Sequence, residues 1–347
     1  MRSPKLTPVL AALAALLLQS GCATPTTRTV AAPPAAATRT HTAPGIVSVH
    51  GRLQTAGNRI VGERGKPVSL AGNSFFWSQW MGQYYTPEVV AWLKTNWRTT
   101  VVRVALGVHQ EDGYLQHPVE NLARMTRVVD AAIAQDLYVI IDWHDHDAHH
   151  HTAQAVSFFQ EMARRYGHQP NVIYEIFNEP MQVSWAKDVK PYAEKVIAAI
   201  RAIDPDNLIV VGSPHWSQDV DVAAADPLKD ANVAYALHFY AGSHKQALRN
   251  KALQAMERGA ALFVTEWGTC NADGNGAIDR DSVQKWTAFM REHQISHCNW
   301  AVSDKKEAAS LLVPGASPHG GWKDADLTES GHYVRELIRN WSGDTPQ

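Results

Sequence analysis

The sequence has little net charge and no nucleotide-binding motif of the dinucleotide type. Among 347 residues, 32 Lys and Arg nearly balance 34 Asp and Glu, which leaves a formal charge of −2 at pH 7. Without a basic surplus the chain lacks the electrostatic footprint of a nucleic-acid-binding protein. No Gly-x-Gly-x-x-Gly follows the first predicted strand, which argues against a dinucleotide-binding fold. No internal repeat and no second linker marks an additional binding module.

The amino terminus is typical of a bacterial export signal. Residues 1–21 contain two basic residues, an apolar run too short to span a bilayer, and small residues before Cys22. That ending resembles a lipoprotein processing site with a lipid on Cys22, although Gln19 stands where Leu is usual. Simple cleavage and secretion is the alternative. Residues 22–44, rich in Ala, Pro and Thr, predict an extended tether before one folded domain at residues 45–345. We expect an outer-membrane or cell-surface lipoprotein, or a secreted protein, that meets a membrane only through such a lipid.

Eight apolar strand patterns, most of them separated by helical patterns, fill the rest of the chain. This alternation favours a closed parallel barrel, and the chain is long enough for the roughly 250 residues or more of a (β/α)8 TIM barrel. A hairpin pattern at residues 47–68 would cap the bottom of the barrel, and the link between the fifth and sixth strands predicts a short irregular helix. The predicted strands are residues 68–76, 100–106, 138–144, 172–179, 208–212, 233–240, 261–267 and 297–303. The predicted helices are residues 87–97, 118–135, 153–166, 189–203, 245–258, 281–293 and 330–341.

Two of these strands end in a glutamate. Residues 172–179 finish in Glu179, and Pro180 stops the strand because proline cannot donate to a ladder. Residues 261–267 have the same form and contain Glu266. The carboxyl ends of barrel strands are where catalytic residues collect, and an apolar mouth would raise the pKa of Glu179 and suit it to be a general acid. A structural ion pair with an arginine is the alternative. Two such carboxylates form the pair that glycoside hydrolysis requires.

Polar and aromatic side chains end nearly every predicted strand. Solubility alone does not require such residues there, so their agreement points to a binding cleft. The 12 Trp residues either fill the core or form flat platforms for sugar rings, and the small net charge suits a polar, mostly neutral substrate. The strand-end residues are Trp77, Arg103, Trp143, His144, Asn178, Glu179, Trp216, His238, Phe239, Tyr240, Glu266, Trp267 and Trp300.

A series of motifs in order resembles glycoside hydrolase family 5, and within it the bacterial endoglucanase subfamily 2. The match extends over residues 47–341. The resemblance implies an eightfold barrel, retaining chemistry and a β-1,4-glucan substrate; we expect no cofactor and a monomer. The motifs are Gly72 to Ser74, Gln79 with Trp80, Val102 with Arg103, Asp142 to His144, Tyr174 to Pro180, Trp216 to Asp219, His238 to Tyr240, Thr265 to Gly268, Asn299 with Trp300, and Ser303 to Lys305.

The resemblance also implies a role for individual residues. Glu179 would be the acid/base and Glu266 the nucleophile, with their carboxyl groups about 5–5.5 Å apart, as retention requires. Glu266 must stay ionised, and Arg103 and Tyr240 would hold and orient it. Glu179 must stay protonated until Glu266 is covalently bonded. The expected sugar contacts are Asn178 at the 2-hydroxyl, His144 and His238 near the cleavage point, Trp300 under the reacting sugar, Lys305 with Glu307 at the sugar beyond it, and Trp80 and Trp216 as platforms on either side.

Two departures from the subfamily pattern leave the specificity open. Phe76 stands where many members have His, and Gly107 stands near the place of a common Tyr. Both would affect the non-reducing side of the cleft. A mannanase or mixed-linkage β-glucanase on the same barrel is therefore the alternative activity, because the fold does not set the substrate. A non-catalytic sugar-binding barrel is a further alternative, although both carboxylates are present.

Two local features have two interpretations each. The His-rich residues 142–151 offer the ligand types of a zinc site, but we expect no metal there, because His144 belongs to the sugar site and the others suit a polar loop. Cys270 follows the Glu266 strand and Cys298 begins the next one. If those strands are neighbours, a disulfide could join the two cysteines in an exported protein. Free thiols are the alternative.

Overall fold

The computed structural model describes residues 45–341. The predicted export signal, the tether and the lipidation candidate Cys22 lie outside the described residues. Within the described residues no helix combines the length and the apolar character that crossing a bilayer needs.

Eight parallel strands close into a barrel, which confirms the predicted (β/α)8 TIM fold. Each strand pairs with the next along the chain, and the last strand pairs with the first to close the ring. The barrel strands are β3 (Ala71–Phe75), β4 (Val101–Gly107), β5 (Tyr138–His144), β6 (Val172–Glu175), β7 (Ile209–Val211), β8 (Val233–Tyr240), β9 (Leu262–Gly268) and β10 (His297–Val302).

Six of the seven predicted helices form within one or two residues of their expected bounds; the first is α-helical over Pro87–Trp92 and continues as a π-helix over Leu93–Trp97. Proline opens α2 and α3, as expected for a residue that lacks an N–H and has a preset φ. The weakly patterned link between β7 and β8 contains two short helices where one irregular helix was predicted. The helices are α1 (Ile46–His50), α2 (Pro87–Trp92), α3 (Pro118–Ala134), α4 (Thr152–Tyr166), α5 (Lys190–Arg201), α6 (Pro214–Ser217), α7 (Val220–Ala225), α8 (Gln246–Glu257), α9 (Arg280–Glu292) and α10 (Glu329–Arg339).

A two-stranded hairpin caps the amino-terminal end of the barrel, as predicted. Its strands are β1 (Gln54–Ala56) and β2 (Arg59–Val61), which pair antiparallel. Thr55 donates its backbone N–H to Asn232, which directly precedes β8, at 2.9 Å. Asn58 donates to the backbone carbonyl of Met256 near the end of α8. These contacts leave the opposite, carboxyl end of the barrel open to solvent.

The strand that carries the first glutamate is shorter than expected. β6 ends at Glu175, so the predicted strand over residues 172–179 is wrong in its last four residues. The backbone beyond it is still hydrogen-bonded irregularly to both neighbouring strands. Ile176 N–H donates to the Val210 carbonyl at 3.0 Å, and Asn178 N–H donates to the Trp143 carbonyl at 3.3 Å. This fixed loop, rather than a strand, positions the acidic residue that follows.

The barrel interior changes from apolar to ionic towards its carboxyl end. Arg103, Asp142, Glu175 and Asn178 are all 0% exposed at this level. Buried ionic groups are costly unless they are paired and hydrogen-bonded, so this layer must satisfy itself internally. The functional side chains lie directly on it.

Candidate active site

Two glutamates face each other across the open end of the barrel. Glu266 projects from β9, and Glu179 projects from the loop after β6. A carboxyl oxygen of each, together with a ring nitrogen of His238, lie within 4.8 Å of one another. This closeness fits the roughly 5–5.5 Å of a retaining pair and is well short of the roughly 6.5–9.5 Å that an inverting pair requires.

Glu266 is held by one cation and one phenol. Arg103 Nη1 donates to its Oε2 at 2.9 Å, and the Tyr240 hydroxyl donates to its Oε1 at 2.6 Å. Burial and the nearby Glu179 charge raise the pKa of Glu266, while Arg103 acts in the opposite direction. The expected partners are therefore in place, and their role is to keep an unfavourably buried carboxylate available as an anion and aimed into the cleft.

Arg103 is the centre of the ionic layer below the glutamates. Besides Glu266, its guanidinium donates to Glu175 at 2.7 Å and to Asn178 Oδ1 at 2.6 Å, and it forms an ion pair with Asp142 at 2.9 Å. Five donors in a rigid fork allow one arginine to serve four acceptors. The side chains of Glu266 and Asn178 are thus held by the same cation.

Glu179 is not in the apolar surroundings that its sequence suggested. His238 Nδ1 lies 2.9 Å from its Oε1, and His146 Nε2 lies 3.4 Å from its Oε2. Burial by itself raises the pKa of Glu179, but the two imidazoles outweigh burial and lower it to about 2. The expectation of a raised pKa for Glu179 is therefore wrong for the free protein, because each carboxylate oxygen has an imidazole partner.

His238 is fixed by contacts on both ring nitrogens. The Thr265 hydroxyl donates to Glu175 at 2.6 Å, so His238 Nε2 must be the donor in its 2.8 Å contact with that hydroxyl. Its Nδ1 faces the Glu179 carboxylate. Burial opposes a charge on the ring, but hydrogen bonds to Glu175 and Glu179 raise the pKa of His238 to about 9. His238 is thus a buried partner of Glu179, and its other ring nitrogen contacts Thr265.

The aromatic and polar side chains expected at the sugar sites line one stretch of the cleft. Trp300 is 6% exposed and its ring lies parallel to that of His144, with centroids 5.2 Å apart. His144 Nδ1 is 2.7 Å from Asp142, and burial and the Arg103 charge hold the pKa of His144 well below its usual value. A neutral ring that donates through Nδ1 leaves Nε2 as an acceptor for a sugar hydroxyl. Trp80, Trp300, Lys305 and Glu307 lie in this stretch with Glu179 and Glu266.

Trp216 lies in a second stretch of the cleft. This cavity of about 930 Å³ is also lined by Glu179, His238 and Tyr240. The Trp216 side chain is 37% exposed, and its backbone has a left-handed φ of 57°. A bond from its N–H to the Pro180 carbonyl at 2.9 Å holds this strained turn against the Glu179 loop. Trp80 and Trp216 thus line two different stretches of the cleft, and both stretches include Glu179.

The two departures from the subfamily pattern lie beside the Trp80 side of the cleft. Phe76 packs on Trp300 with ring centroids 5.1 Å apart, and the Lys305 ammonium lies 5.3 Å from the centre of its ring. At Gly107, a Cβ atom would lie 1.9 Å from the Gln79 amide oxygen. A side chain at this position would therefore require the end of the Gln79 side chain to move.

The His-rich loop is organised around a buried carboxylate. Asp145 is 0% exposed; its Oδ2 lies 2.7 Å from His151 Nδ1 and its Oδ1 lies 2.6 Å from His109 Nδ1. These three side chains are near enough to share a cation. Contacts with the imidazoles already occupy both carboxylate oxygens, so the geometry is accounted for without a metal ion. His146 points away from this cluster towards Glu179.

Cys270 and Cys298 are both buried free thiols. Their strands are neighbours, as the sequence suggested, but Asn299 is level with Trp267 in the ladder. Cys298 therefore lies before that level, whereas Cys270 lies three residues after it. The disulfide considered for this pair is not formed, and burial raises the pKa of the Cys270 thiol to about 11.

Sequence reasoning missed three residues that contact the expected site. Glu175 and Thr265 connect Arg103 to His238, and His146 contacts Glu179. Glu175 did carry a signal, because a charged residue inside an otherwise apolar strand needs a buried partner. His146 lies beyond the end of β5, where strand alternation gives no signal.

Comparison with known proteins agrees with this geometry. The family model described as cellulase (glycosyl hydrolase family 5) matches residues 61–306. Endoglucanase Z of Dickeya dadantii is 55% identical over 293 residues, which cover 83% of this chain and 66% of that protein. An endoglucanase of Clostridium saccharobutylicum is 46% identical over 295 residues, covering 84% of this chain and 66% of its own. This chain thus spans just under two thirds of the length of these two relatives.

Solved structures are similar over nearly the whole folded domain. A protein from Cytophaga hutchinsonii superposes with a TM-score of 0.84 and 53% identity, covering 85% of this chain and 97% of that one. The catalytic domain of Thermobifida fusca endoglucanase Cel5A gives a TM-score of 0.81 and 36% identity, covering 85% and 99%. Family model, relatives and geometry agree, and the chain belongs to the cellulase family, glycosyl hydrolase family 5.

Proposed function

We propose that this protein is a retaining endo-β-1,4-glucanase that hydrolyses internal bonds of a β-1,4-glucan by double displacement. The observation that carries the proposal is the approach of the Glu179 and Glu266 carboxyl oxygens to within 4.8 Å at the open end of the barrel. Endoglucanase is also the printed name of the relatives reported above. A variant of the Thermobifida fusca catalytic domain has been crystallised with cellotetraose.

In the first displacement, Glu266 attacks the anomeric carbon while Glu179 gives a proton to the departing oxygen. The glycosidic bond breaks and an ester forms between the sugar and Glu266. Arg103 and Tyr240 hold the attacking carboxylate. The Asn178 amide nitrogen is buried and has no partner. It is therefore free to donate to the 2-hydroxyl of the reacting sugar, a bond that strengthens in the transition state.

In the second displacement, water attacks the same carbon and Glu179 accepts its proton. The bond to Glu266 breaks, and the product keeps the original β configuration. Esterification removes the negative charge of Glu266. That charge raises the pKa of His238 and repels the carboxylate of Glu179. The acid/base then works beside a neutral ester, which favours its ionised, basic form.

A product profile over β-1,4-linked polysaccharides tests the substrate assignment. We expect carboxymethyl-cellulose and mixed-linkage glucan to lose viscosity early and to release cello-oligosaccharides. Preferential release of manno-oligosaccharides from mannan would favour the mannanase alternative. Complete inactivity on all three polymers would favour a sugar-binding barrel without catalysis.

The export signal, the lipid on Cys22 and the monomeric state are parts of the same proposal that rest on the sequence. A polymeric substrate cannot enter a cell, so a glucanase has to work outside it or at its surface. Radiolabelled palmitate should enter the full-length protein but not a Cys22→Ala form that is still exported. Equal lack of label in both would leave secretion without an anchor, and light scattering would detect a dimer.

A further inference from the structure

The charge state that the surroundings favour for Glu179 does not match its proposed role as the acid. Glu179 must deliver a proton in the first displacement, yet it lies between two imidazoles that favour its ionised form. If Glu179 is ionised in the free enzyme, the proton for the first displacement (the acid-step proton) must be held by a neighbouring group. The two candidates are His238 and His146, which contact different oxygens of the same carboxylate.

The two imidazoles differ in how strongly they are tied. His238 is 2% exposed, donates through Nε2 to Thr265, and has Glu175 at 3.6 Å behind that nitrogen. His146 is 26% exposed, packs edge-on against Trp77, and contacts Glu179 at the longer distance of 3.4 Å. A proton on His146 can therefore exchange with solvent, and its hydrogen bond can break. The proton on His238 Nε2, by contrast, is held by the buried side chains of Thr265 and Glu175.

We propose that His146 is a positioning residue that stores the acid-step proton of Glu179, an inference that rests on the proposed glucanase function. In the free enzyme, its imidazolium donates from Nε2 to Oε2 of Glu179. A glucan chain that fills the cleft removes water from this ion pair, and burial disfavours separated charges. The proton then passes from Nε2 to Oε2, which leaves neutral His146 beside a protonated Glu179.

The proton balance closes over one catalytic cycle. Glu179 gives the stored proton to the glycosidic oxygen as the carbon–oxygen bond breaks and Glu266 becomes an ester. In the second displacement the attacking water loses a proton to Glu179, and its oxygen bonds to the sugar. That proton returns from Oε2 to Nε2 when product leaves, which restores the imidazolium and the carboxylate. No additional reactant is needed.

The charged groups around His146 set its pKa, and so the pH range in which it can hold the proton. Burial opposes protonation, but Glu179, Glu266 and Asp145 raise the pKa of His146 above its usual 6.5. The imidazoles His109 and His144, with ring centroids 6.5 Å and 6.4 Å away, face the same ring. The groups that face Glu179 from the other strands are His238, Tyr240, His244 and Glu266.

The sign of the pH dependence follows from this arrangement. A raised imidazole pKa means that the stored proton is present at low pH and is lost as the pH rises through that value. The basic limb of kcat/KM, which reports the acid of the free enzyme, should therefore follow His146. In His146→Gln no imidazole that exchanges with solvent is left beside Glu179, so the basic limb should follow Glu179 itself, whose pKa His238 still lowers. The basic limb should move down by at least about one pH unit, which is a roughly tenfold loss at pH values above the wild-type midpoint.

A leaving-group comparison separates proton delivery from simple damage to the site. We would measure wild type, His146→Gln and the control His150→Gln, which changes an exposed imidazole in the same loop. On cello-oligosaccharides the first variant should show the shifted limb and the control should match wild type. On dinitrophenyl β-cellobioside, whose leaving group needs no proton, the first displacement should be unaffected by the His146 change. An unshifted limb, or an equal loss on both substrates, would overturn the proposal.

Imidazole titration by NMR tests the pair without any turnover. His146 should titrate at higher pH in wild type than in Glu179→Gln, where the carboxylate is gone. Identical titration of His146 in both proteins would overturn the proposal, and this result does not depend on whether His146→Gln folds. If wild type hydrolyses no glucan, the proposed function fails, and the NMR difference still reports whether His146 and Glu179 share a proton.

Discussion

Replacing Arg103 by methionine removes the cation that the ionic layer shares. In the structure its guanidinium is 0% exposed and contacts the carboxylates of Asp142, Glu175 and Glu266 at 2.7–2.9 Å. Methionine fills a similar volume and brings no charge. The three carboxylates would then lie together, buried and without their common partner.

Both stability and activity should fall, for separate reasons. Removing one member of a buried ionic cluster costs about 3–5 kcal/mol. For a domain of this size that corresponds to a fall in Tm of roughly 10 °C. The pKa of Glu266, already raised by burial and Glu179, should rise further without Arg103. Since the nucleophile must be an anion, we expect kcat/KM to fall by at least about 100-fold.

The pH dependence of melting provides the sharpest check. Burial alone would raise the pKa of Glu175, but Arg103 and His238 lower it below its usual 4.5. A lowered carboxylate pKa stabilises the fold above the unfolded value and ceases to do so as pH falls through the folded value. The Tm difference between wild type and Arg103→Met should therefore be large at pH 7 and shrink below about pH 4.5.

A surface arginine serves as the matched control. Arg165 lies 3.0 Å from Asp130, but both side chains are about half exposed. Exposed pairs contribute about 0–1 kcal/mol, so Arg165→Met should melt within a few degrees of wild type. If Arg103→Met also melted within a few degrees of wild type, or kept full activity, Arg103 would not be the shared counter-charge described here.

Three further outcomes follow from the site. Glu179→Gln and Glu266→Gln should each lose nearly all activity on polymeric glucan, and azide should restore turnover to alanine variants at these two positions but not at a structural carboxylate. Trp216→Ala should raise KM roughly tenfold with little change in kcat, because a platform binds ground state and transition state alike; an unchanged KM would exclude Trp216 from sugar binding. Alkylation of unfolded, unreduced protein should label both Cys270 and Cys298, and protection of the two would indicate a disulfide.

The barrel and its reacting pair were predictable because their signals are local and repeated. Apolar runs that end in a glutamate marked β6 and β9, and a parallel barrel brings the carboxyl ends of all its strands to one rim. Proline at the start of α2 and α3 likewise fixed two helix ends. The exact end of β6 was not predictable, because the irregular backbone bonds after Glu175 depend on the neighbouring strands.

The charge state of Glu179 could not be predicted from its own segment. Its surroundings depend on His146 from one loop and His238 from another strand, and both distances arise only when the barrel closes. The sequence correctly indicated an apolar strand before Glu179. The imidazoles of His146 and His238 lower the pKa of Glu179, whereas the sequence had suggested a raised pKa.

The cysteine pair shows that two residues near neighbouring strands need not lie side by side. Cys270 follows β9 by two residues and Cys298 lies in the neighbouring β10, but position along the strands decides whether two side chains meet. The ladder places Asn299 level with Trp267, so the cysteines lie at different heights. Adjacency of strands was readable from the sequence, and register was not.

Trapping the covalent intermediate tests the central claim most directly, namely that Glu266 attacks the sugar while Glu179 manages the proton. A deoxyfluoro β-cellobioside with a dinitrophenyl leaving group should inactivate the enzyme and leave its sugar on the peptide that contains Glu266, as read by mass spectrometry. NMR of the first products from a normal substrate should show the β anomer. A label on Glu179, or an α anomer without any trapped ester, would contradict the assignment.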